Sequence, residues 1–88
     1  FNTNDSIMIT VNVKCFSQVM YALDTDILLL ELELGTTTDT LEKIIRDRAD
    51  GKLDGVSLRT AVNQKYIPDV VELKDGDEVA FIPPVQGG

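Results

Sequence analysis

The hydrophobic period of this chain of 88 residues changes along its length, and the order of the changes restricts the fold. Apolar and polar residues alternate over residues 7–15, and a second alternating run covers residues 27–34. A period of two is typical of half-buried strands, so both runs are predicted to be strands that pair as a hairpin. Residues 17–26 are expected to hold the turn between them, with its tip at residues 24–26.

The middle of the chain has the period of a helix. Leu41, Ile44 and Ile45 recur at spacings of three and four, which places them on one face of a helix. Thr37 or Thr38 precedes this run and can accept a hydrogen bond from a backbone N–H as the N-cap. One main helix is therefore predicted after the second strand.

The last third of the chain returns to strand periods. Residues 58–62 and 78–82 are predicted strands, and Pro68 breaks a short strand between them. Residues 78–82 are apolar on both faces, which is typical of a strand in the middle of a sheet or under a partner, and Val79 and Phe81 are assigned to the core. The order of elements predicts an α+β fold of the β-grasp (ubiquitin-like) kind, with one main helix on a mixed sheet of four to five strands and an extended C-terminal tail.

The composition is that of one small globular domain, with 43% hydrophobic and 26% charged residues. We expect residues 7–82 to form this domain, residues 1–6 to be a disordered arm or a cloning remnant, and residues 83–88 to be a functional tail. No apolar run approaches the roughly 20 residues of a membrane span, and the first residues lack the pattern of a secretion signal. The protein is therefore expected in the cytosol.

The charge of the chain restricts its partners. Nucleic acids and anionic membranes attract clusters of Lys and Arg, whereas this chain has a formal net charge of −7 at pH 7. We therefore expect neither a nucleic-acid nor a membrane partner. A protein with a basic surface is the complementary partner.

Scarce residue types exclude several kinds of chemistry. The chain has one cysteine, Cys15, and no histidine, which excludes a disulfide framework, zinc sites built on these residues, and catalysis by Ser-His or Cys-His pairs. Cys15 is interpreted as a small core residue. Carboxylates are frequent over residues 69–78, but their spacing matches no calcium-binding loop, so they are interpreted as solvated turn charges and no metal site is predicted.

The C-terminal residues combine two conformationally restricted prolines with two glycines that have no side chain. Pro83 and Pro84 lack backbone N–H groups, so they end the strand and stiffen the exit of the chain. Gly87 and Gly88 have no Cβ, so a narrow channel could admit them and catalytic groups could approach their backbone closely. The hypothesis is that the functional atom is the C-terminal carbonyl carbon of Gly88. The residues assigned to insertion of this tail into a partner are Pro83, Pro84, Val85, Gln86 and Gly87.

A carboxylate is a poor electrophile and needs activation. Adenylation by an ATP-binding partner would turn the Gly88 carboxylate into a mixed anhydride. A sulfur nucleophile could then displace AMP and leave a thiocarboxylate, or a lysine amine could displace AMP and form an isopeptide bond. The residues alone leave both chemistries open.

Several runs resemble one family. Residues 73–88 (LKDGDEVAFIPPVQGG) are similar to the C-terminal signature of the small, sulfur-carrying subunit of molybdopterin synthase, a ubiquitin-like β-grasp protein. Residues 61–63 (AVN) match a run in the third strand of that family, and residues 16–17 (FS) stand where it often has Phe-Ala. The paired prolines favour this branch over the thiamine-pathway carriers, and residues 86–88 (QGG) differ from the His-Gly-Gly end of the tRNA-thiolation modifier.

The resemblance implies a reaction cycle. An E1-like adenylyltransferase would use ATP to activate Gly88, a persulfide relay would install sulfur, and the thiocarboxylate would pass sulfur to cyclic pyranopterin monophosphate in the large catalytic subunit, to build the dithiolene of molybdopterin. The chain would be the non-catalytic subunit of a synthase with two small and two large subunits, and it would bind no cofactor itself. Phe16 and Ile82 are assigned to the partner interface.

Three alternatives to this function share the fold. The chain could be a sulfur carrier for thiamine synthesis or tRNA thiolation, a protein modifier conjugated through Gly88, or an interaction domain with an incidental tail. Deletion of Gly88 separates the last of these from the others.

Overall fold

The structure is a computed structural model, and it describes residues 7–84 of the chain. The expectations for residues 1–6 and for residues 85–88 lie outside the described part. Five strands and two helices follow one another in the order β1 Met8–Cys15, α1 Ser17–Leu23, β2 Ile27–Glu33, α2 Thr38–Arg48, β3 Arg59–Val62, β4 Lys65–Tyr66 and β5 Glu78–Ile82.

The strands form one mixed sheet in the order β2-β1-β5-β3-β4. β1 pairs with β2 in antiparallel and with β5 in parallel orientation, and β5 pairs with β3 in antiparallel orientation. β5 therefore lies in the centre of the sheet, as its two apolar faces predicted. The mixed five-stranded sheet with its main helix confirms the predicted α+β fold.

One face of the sheet packs against α2 and forms the core. Leu41 and Ile45 of α2 are completely buried against Val13 of β1 and against Val79 and Phe81 of β5. Each such side chain contributes roughly 1.5–3 kcal/mol by leaving water. Thr37 is the N-cap of this helix, and its hydroxyl accepts from the backbone N–H of Thr40.

The prediction of a simple turn over residues 17–26 is wrong, because the structure has the helix α1 there. Only seven residues are helical, which is too short for the hydrophobic period to distinguish a helix from a loop. Val19 is buried in the core, so tertiary packing rather than helix propensity stabilises this segment. Asp24 ends the helix in the left-handed conformation, with φ of 57°.

Strand ends differ from the prediction by one residue. β2 ends at Glu33, whereas the predicted run extends to residue 34, and Leu34 is exposed. The short strand predicted before Pro68 is Lys65–Tyr66, one residue earlier than the Tyr66-Ile67 pair that the sequence indicates. Neither helix of residues 7–84 has the length and apolar composition to cross a membrane.

The carboxylates before β5 hold a tight turn at residues 75–77. Asp75 Oδ1 accepts from the backbone N–H of Thr10 over 2.8 Å, and Asp77 Oδ2 accepts from that of Lys74 over 2.8 Å. Gly76 lies between them with φ of +86°, a conformation that favours glycine. These hydrogen bonds fix the start of the central strand.

Candidate functional site

The central strand brings the chain to one end of the sheet. Ile82, its last residue, pairs with Arg59 of β3, and Phe81 pairs with Cys15 of β1. Ile82 is half-buried, Pro83 is buried and Pro84 is exposed. Residues on both sides therefore hold the point where the chain leaves the sheet. Of the predicted tail residues, Val85, Gln86, Gly87 and Gly88 lie outside the described part of the chain.

A groove of about 640 Å³ lies beside this point and is called the exit groove here. One wall comes from the end of β1 and the start of α1, and the second from the loop between α2 and β3. Ile82, Pro83 and Pro84 line it as well, so the structure brings Phe16 together with Ile82, the two residues assigned from the sequence to a partner interface. The lining residues are Phe16, Ser17, Gln18, Gly55, Val56, Ser57, Ile82, Pro83 and Pro84.

The face of the sheet opposite α2 continues from the exit groove and is called the open face here. Its two alanines, Ala80 of β5 and Ala61 of β3, are paired neighbours, so the middle of this face is a shallow apolar floor. Large apolar side chains stand at its edges, with Tyr66 61% and Ile27 51% exposed. Strand pairing aligns five side chains across the face, namely Ile27, Lys14, Ala80, Ala61 and Tyr66.

Phe16 belongs to both surfaces. It is 46% exposed although it is a large aromatic residue, and it lines the exit groove and a hollow on the open face. Ile82 lines the same two concavities. Exposed apolar side chains that lie together typically mark protein-binding sites, so the open face and the exit groove form one candidate docking surface.

The charged residues on the open face surround the apolar floor. Lys14 Nζ lies 3.5 Å from Glu78 Oε1, and the Arg59 guanidinium lies 5.9 Å from the centroid of the Tyr66 ring. The Lys14–Glu78 pair is half-buried and the Arg59–Tyr66 pair is exposed, and each contributes about 1 kcal/mol or less to stability. An apolar floor with a polar border is the usual anatomy of a protein–protein interface.

Sequence reasoning missed part of this surface. The two apolar faces of residues 78–82 put Ala80 and Ile82 on the side opposite Val79 and Phe81, but the sequence does not show that Ala61, Tyr66 and Ile27 are their neighbours. Alternation within each strand could have given the outward positions. The neighbours across the sheet required the strand order and register, which the sequence period does not contain.

Cys15 lies under the docking surface and is buried, with 2% of its surface exposed, which confirms its interpretation as a core residue. Its thiol donates a weak hydrogen bond to the Val13 carbonyl over 3.8 Å. Burial, and to a smaller extent the nearby negative charge of Asp26, raises the pKa of the thiol. Cys15 is therefore protonated at neutral pH and is a poor nucleophile.

Metal chemistry has no ligand set among residues 7–84, because no three Cys, Asp or Glu side chains there are placed to share an ion. Asp75 and Asp77 instead accept hydrogen bonds from backbone amides. What the described residues offer is a docking surface next to the exit of the chain.

Comparison with known proteins agrees with this arrangement. The model of the ThiS family matches residues 13–88, which include most of the sheet, both walls of the exit groove and the two terminal glycines. The chain belongs to the ThiS family. The resemblance noted from the sequence is confirmed by this match and by the curated relatives and solved structures that follow.

Two curated relatives of this ThiS-family protein match nearly its whole length. The molybdopterin synthase sulfur carrier subunit of Mycobacterium tuberculosis is 40% identical over 83 residues, which cover 92% of this chain and 100% of the relative. The subunit of the same description from Haemophilus influenzae is 34% identical over 80 residues, covering 89% of this chain and 99% of the relative.

Solved structures share the fold of the ThiS-family protein. Subunit 1 of a molybdopterin converting factor from Pyrococcus furiosus matches with a TM-score of 0.78 at 30% identity, over 88% of this chain and 99% of that one. Small archaeal modifier protein 1 from Methanosarcina acetivorans matches with a TM-score of 0.71 at 27% identity, over 93% and 99% of the two chains. A chain in a complex of subunits 1 and 2 of the molybdopterin-converting factor from Helicobacter pylori has the same fold, with a TM-score of 0.65 at 24% identity over 91% and 100%. The β-grasp fold is thereby confirmed.

Proposed function

We propose that this protein is the sulfur-carrier subunit of molybdopterin synthase and that Gly88 carries the sulfur as a thiocarboxylate. The observation that supports this most strongly is the exit of the chain at Pro83 and Pro84, directly beside an exposed apolar docking surface. For a partner bound to this surface, the residues that follow Pro84 begin at a fixed position. The curated relatives, which are sulfur carrier subunits, support the same function.

The first reaction is activation of Gly88. A carboxylate oxygen attacks the α-phosphorus of ATP, which an E1-like adenylyltransferase binds, and pyrophosphate leaves. The product is an acyl adenylate, a mixed anhydride whose carbonyl carbon is electrophilic. ATP is consumed by the partner, and the carrier itself needs no cofactor.

The second reaction exchanges the leaving group for sulfur. A persulfide on the activating system attacks the carbonyl carbon and AMP leaves, which gives an acyl disulfide. A dithiol then reduces the S–S bond, becomes a disulfide itself, and releases the Gly88 thiocarboxylate. These steps need ATP and a thiol reductant, which are cytosolic reagents, so we place the protein in the cytosol.

The third reaction takes place in the large subunit of the synthase. The thiocarboxylate sulfur attacks a carbon of cyclic pyranopterin monophosphate and an oxygen substituent leaves that carbon, which gives a thioester between Gly88 and the substrate. Water then hydrolyses the thioester, so that the Gly88 carboxylate is regenerated and the sulfur stays on the substrate as a thiol. Two such transfers supply the two sulfurs of the dithiolene. With a net charge of −7, this chain is poorly suited to bind an anionic substrate, so the large subunit provides the cations and the catalytic groups.

The partners of the proposed function are the large subunit and the activating enzyme. The complex of subunits 1 and 2 from Helicobacter pylori supports a large-subunit partner, and we propose an assembly of two small and two large subunits. Phe16 and Ile82 are the proposed anchors on both partners because they border the exit of the chain. One surface for both partners lets the tail enter one active site at a time.

A second function has a specific observation in its favour. The modifier protein from Methanosarcina acetivorans shares the fold at 27% identity. An acyl adenylate of Gly88 could acylate a lysine amine instead of a persulfide, which would make this protein a conjugated modifier. Carriers for thiamine synthesis or tRNA thiolation would use the same thiocarboxylate with a different acceptor.

The experiment uses the purified chain with an E1-like adenylyltransferase, ATP, a persulfide donor and a dithiol. Intact mass spectrometry should show exchange of one oxygen for sulfur. Addition of a large synthase subunit and cyclic pyranopterin monophosphate should then return the original mass and yield molybdopterin. Appearance of the chain on lysines of larger proteins, with no thiocarboxylate, would support the modifier instead.

A further inference from the structure

Arg46 on α2 makes three hydrogen bonds, and two of them reach the loop between α2 and β3. Its Nε donates to Glu42 Oε2 over 2.9 Å within the helix. Its Nη1 donates to the carbonyl of Leu53 over 2.8 Å, and its Nη2 donates to the carbonyl of Val56 over 2.7 Å. One side chain therefore links the helix to both ends of a four-residue turn.

That turn has little other support at its exposed end. The Leu53 side chain is buried in the core and anchors the first residue of the turn. The Val56 N–H closes the turn on the Leu53 carbonyl over 3.0 Å. Among the hydrogen bonds of the described residues, the one to Arg46 Nη2 ties the Val56 carbonyl to the rest of the fold.

The same turn forms a wall of the exit groove. Gly55, Val56 and Ser57 line the groove together with Phe16, Pro83 and Pro84. Movement of this wall would change the space through which the chain leaves the sheet. The position of Val56 is therefore coupled to the exit, although Arg46 does not line the groove.

We infer that Arg46 is a positioning residue for sulfur transfer, which fixes the wall of the exit groove and thereby the path of Pro83 and Pro84 out of the sheet. This inference rests on the proposed function. A fixed path at Pro83 and Pro84 reduces the conformational freedom that is lost when a partner binds the residues beyond them, so fewer encounters are unproductive. The effect acts on binding of the tail and not on the chemistry at Gly88.

The guanidinium group is required by the geometry. Arg presents a planar fork with several N–H donors in fixed directions, so it can reach Glu42 and two carbonyls at the same time. Lysine has the same charge but donates from a single nitrogen, and cannot span the turn. Arg46→Lys therefore keeps the charge of the helix while removing the link between the two carbonyls.

The test compares Arg46→Lys with a matched control, Glu42→Gln. The control weakens the ion pair within the helix but leaves both bonds to the loop, so it changes stability without releasing the wall. In Arg46→Lys, the Val56 amide should exchange its hydrogen about fivefold faster, the factor expected for loss of one hydrogen bond. The carrier concentration at half-maximal rate of thiocarboxylate formation should rise by about the same factor, with kcat unchanged.

The outcomes separate the inference from the proposed function. A wild-type chain that never forms a thiocarboxylate contradicts both. An active wild-type chain with Arg46→Lys indistinguishable from Glu42→Gln, in amide exchange and in KM, contradicts the role of Arg46 alone. A fall in kcat without a change in KM also overturns the inference, because the proposed role lies in tail binding. A rise in KM limited to Arg46→Lys supports it.

Discussion

Asn63 bonds Asp77 side chain to side chain and thereby joins the β3–β4 turn to the entry of the central strand. The Asn63 amide nitrogen donates to Asp77 Oδ1 over 2.9 Å, and the Asn63 amide oxygen accepts from the backbone N–H of Glu78 over 3.0 Å. Asn63 also has φ of 51°, in the left-handed region. The strand whose far end carries the exit of the chain is therefore fixed at its start by an amide on a neighbouring turn.

Substitutions of Asn63 should separate the contribution of its side-chain hydrogen bonds from that of its left-handed backbone conformation. Asn63→Ala loses both side-chain hydrogen bonds and keeps an unfavourable φ, so the free energy of unfolding should fall by about 2–3 kcal/mol. Asn63→Gly loses the same bonds but tolerates the left-handed conformation, so it should be about 1 kcal/mol more stable than Asn63→Ala. Urea denaturation measures both. Equal stability of the two variants would show that the backbone conformation at this position carries no strain.

Substitutions on the docking surface should weaken partner binding more than a substitution outside it. Phe16→Ala and Ile82→Ala should each weaken binding to the large synthase subunit by about 5- to 30-fold, because each removes an apolar anchor worth about 1–2 kcal/mol. Tyr21→Ala is the matched control, since Tyr21 is a 78% exposed aromatic residue on α1 that lines no part of the exit groove. Titration calorimetry gives the affinities. An affinity loss in the control as large as in Phe16→Ala would place the interface elsewhere.

The contribution of Cys15 to the free energy of unfolding should decrease at alkaline pH. Its pKa is raised in the fold above the ordinary value of 9.0, so the unfolded chain ionises at lower pH than the folded one. The stabilisation of the buried thiol is therefore complete below pH 9 and decreases as the pH rises through the folded pKa. The stability advantage of the wild type over Cys15→Ala should shrink by up to about 1 kcal/mol between pH 7.5 and pH 10, measured by urea denaturation. A constant difference between the two proteins would contradict the pKa shift.

The long periodic segments of the fold could be predicted from the sequence. β1 and α2 each carry a clear period and β5 is a continuous apolar run, from which Phe81 and Val79 are predicted to lie in the core, where they are fully buried. The helix α1 could not be predicted, because seven residues around Val19 make too few turns for a period to appear. The conformation of α1 depends on the burial of Val19 in the core, which the sequence does not show.

Part of the candidate site could likewise be predicted from the sequence and part could not. The role proposed for the tail rests on residue chemistry, since Pro83 and Pro84 end a strand and glycines allow close approach. The partners of Phe16 and Ile82 on the surface depend on strand order, which brings Ala61 and Tyr66 from distant parts of the chain. Arg46 looked like an ordinary surface residue of an amphipathic helix, and only the path of the following loop reveals its bonds to two carbonyls.

A chain with one residue added to its tail should still bind the large subunit but should carry no sulfur. An extra alanine after Gly88 leaves the docking surface intact but moves the carboxyl carbon away from the catalytic groups of the partner. We expect affinity for the large subunit close to that of the wild type and no thiocarboxylate formation. Calorimetry and intact mass report the two quantities separately. Thiocarboxylate formation on the extended chain would contradict a fixed reach for the tail.

The central claim is that sulfur travels on Gly88, and intact mass spectrometry tests it most directly. The chain is incubated with an E1-like adenylyltransferase, ATP, a persulfide donor and a dithiol, beside a variant that lacks Gly88. We predict that the full chain exchanges one oxygen for sulfur on its last residue and that the shortened chain keeps its mass. A shortened chain that gains sulfur and supports full molybdopterin synthesis would contradict the account.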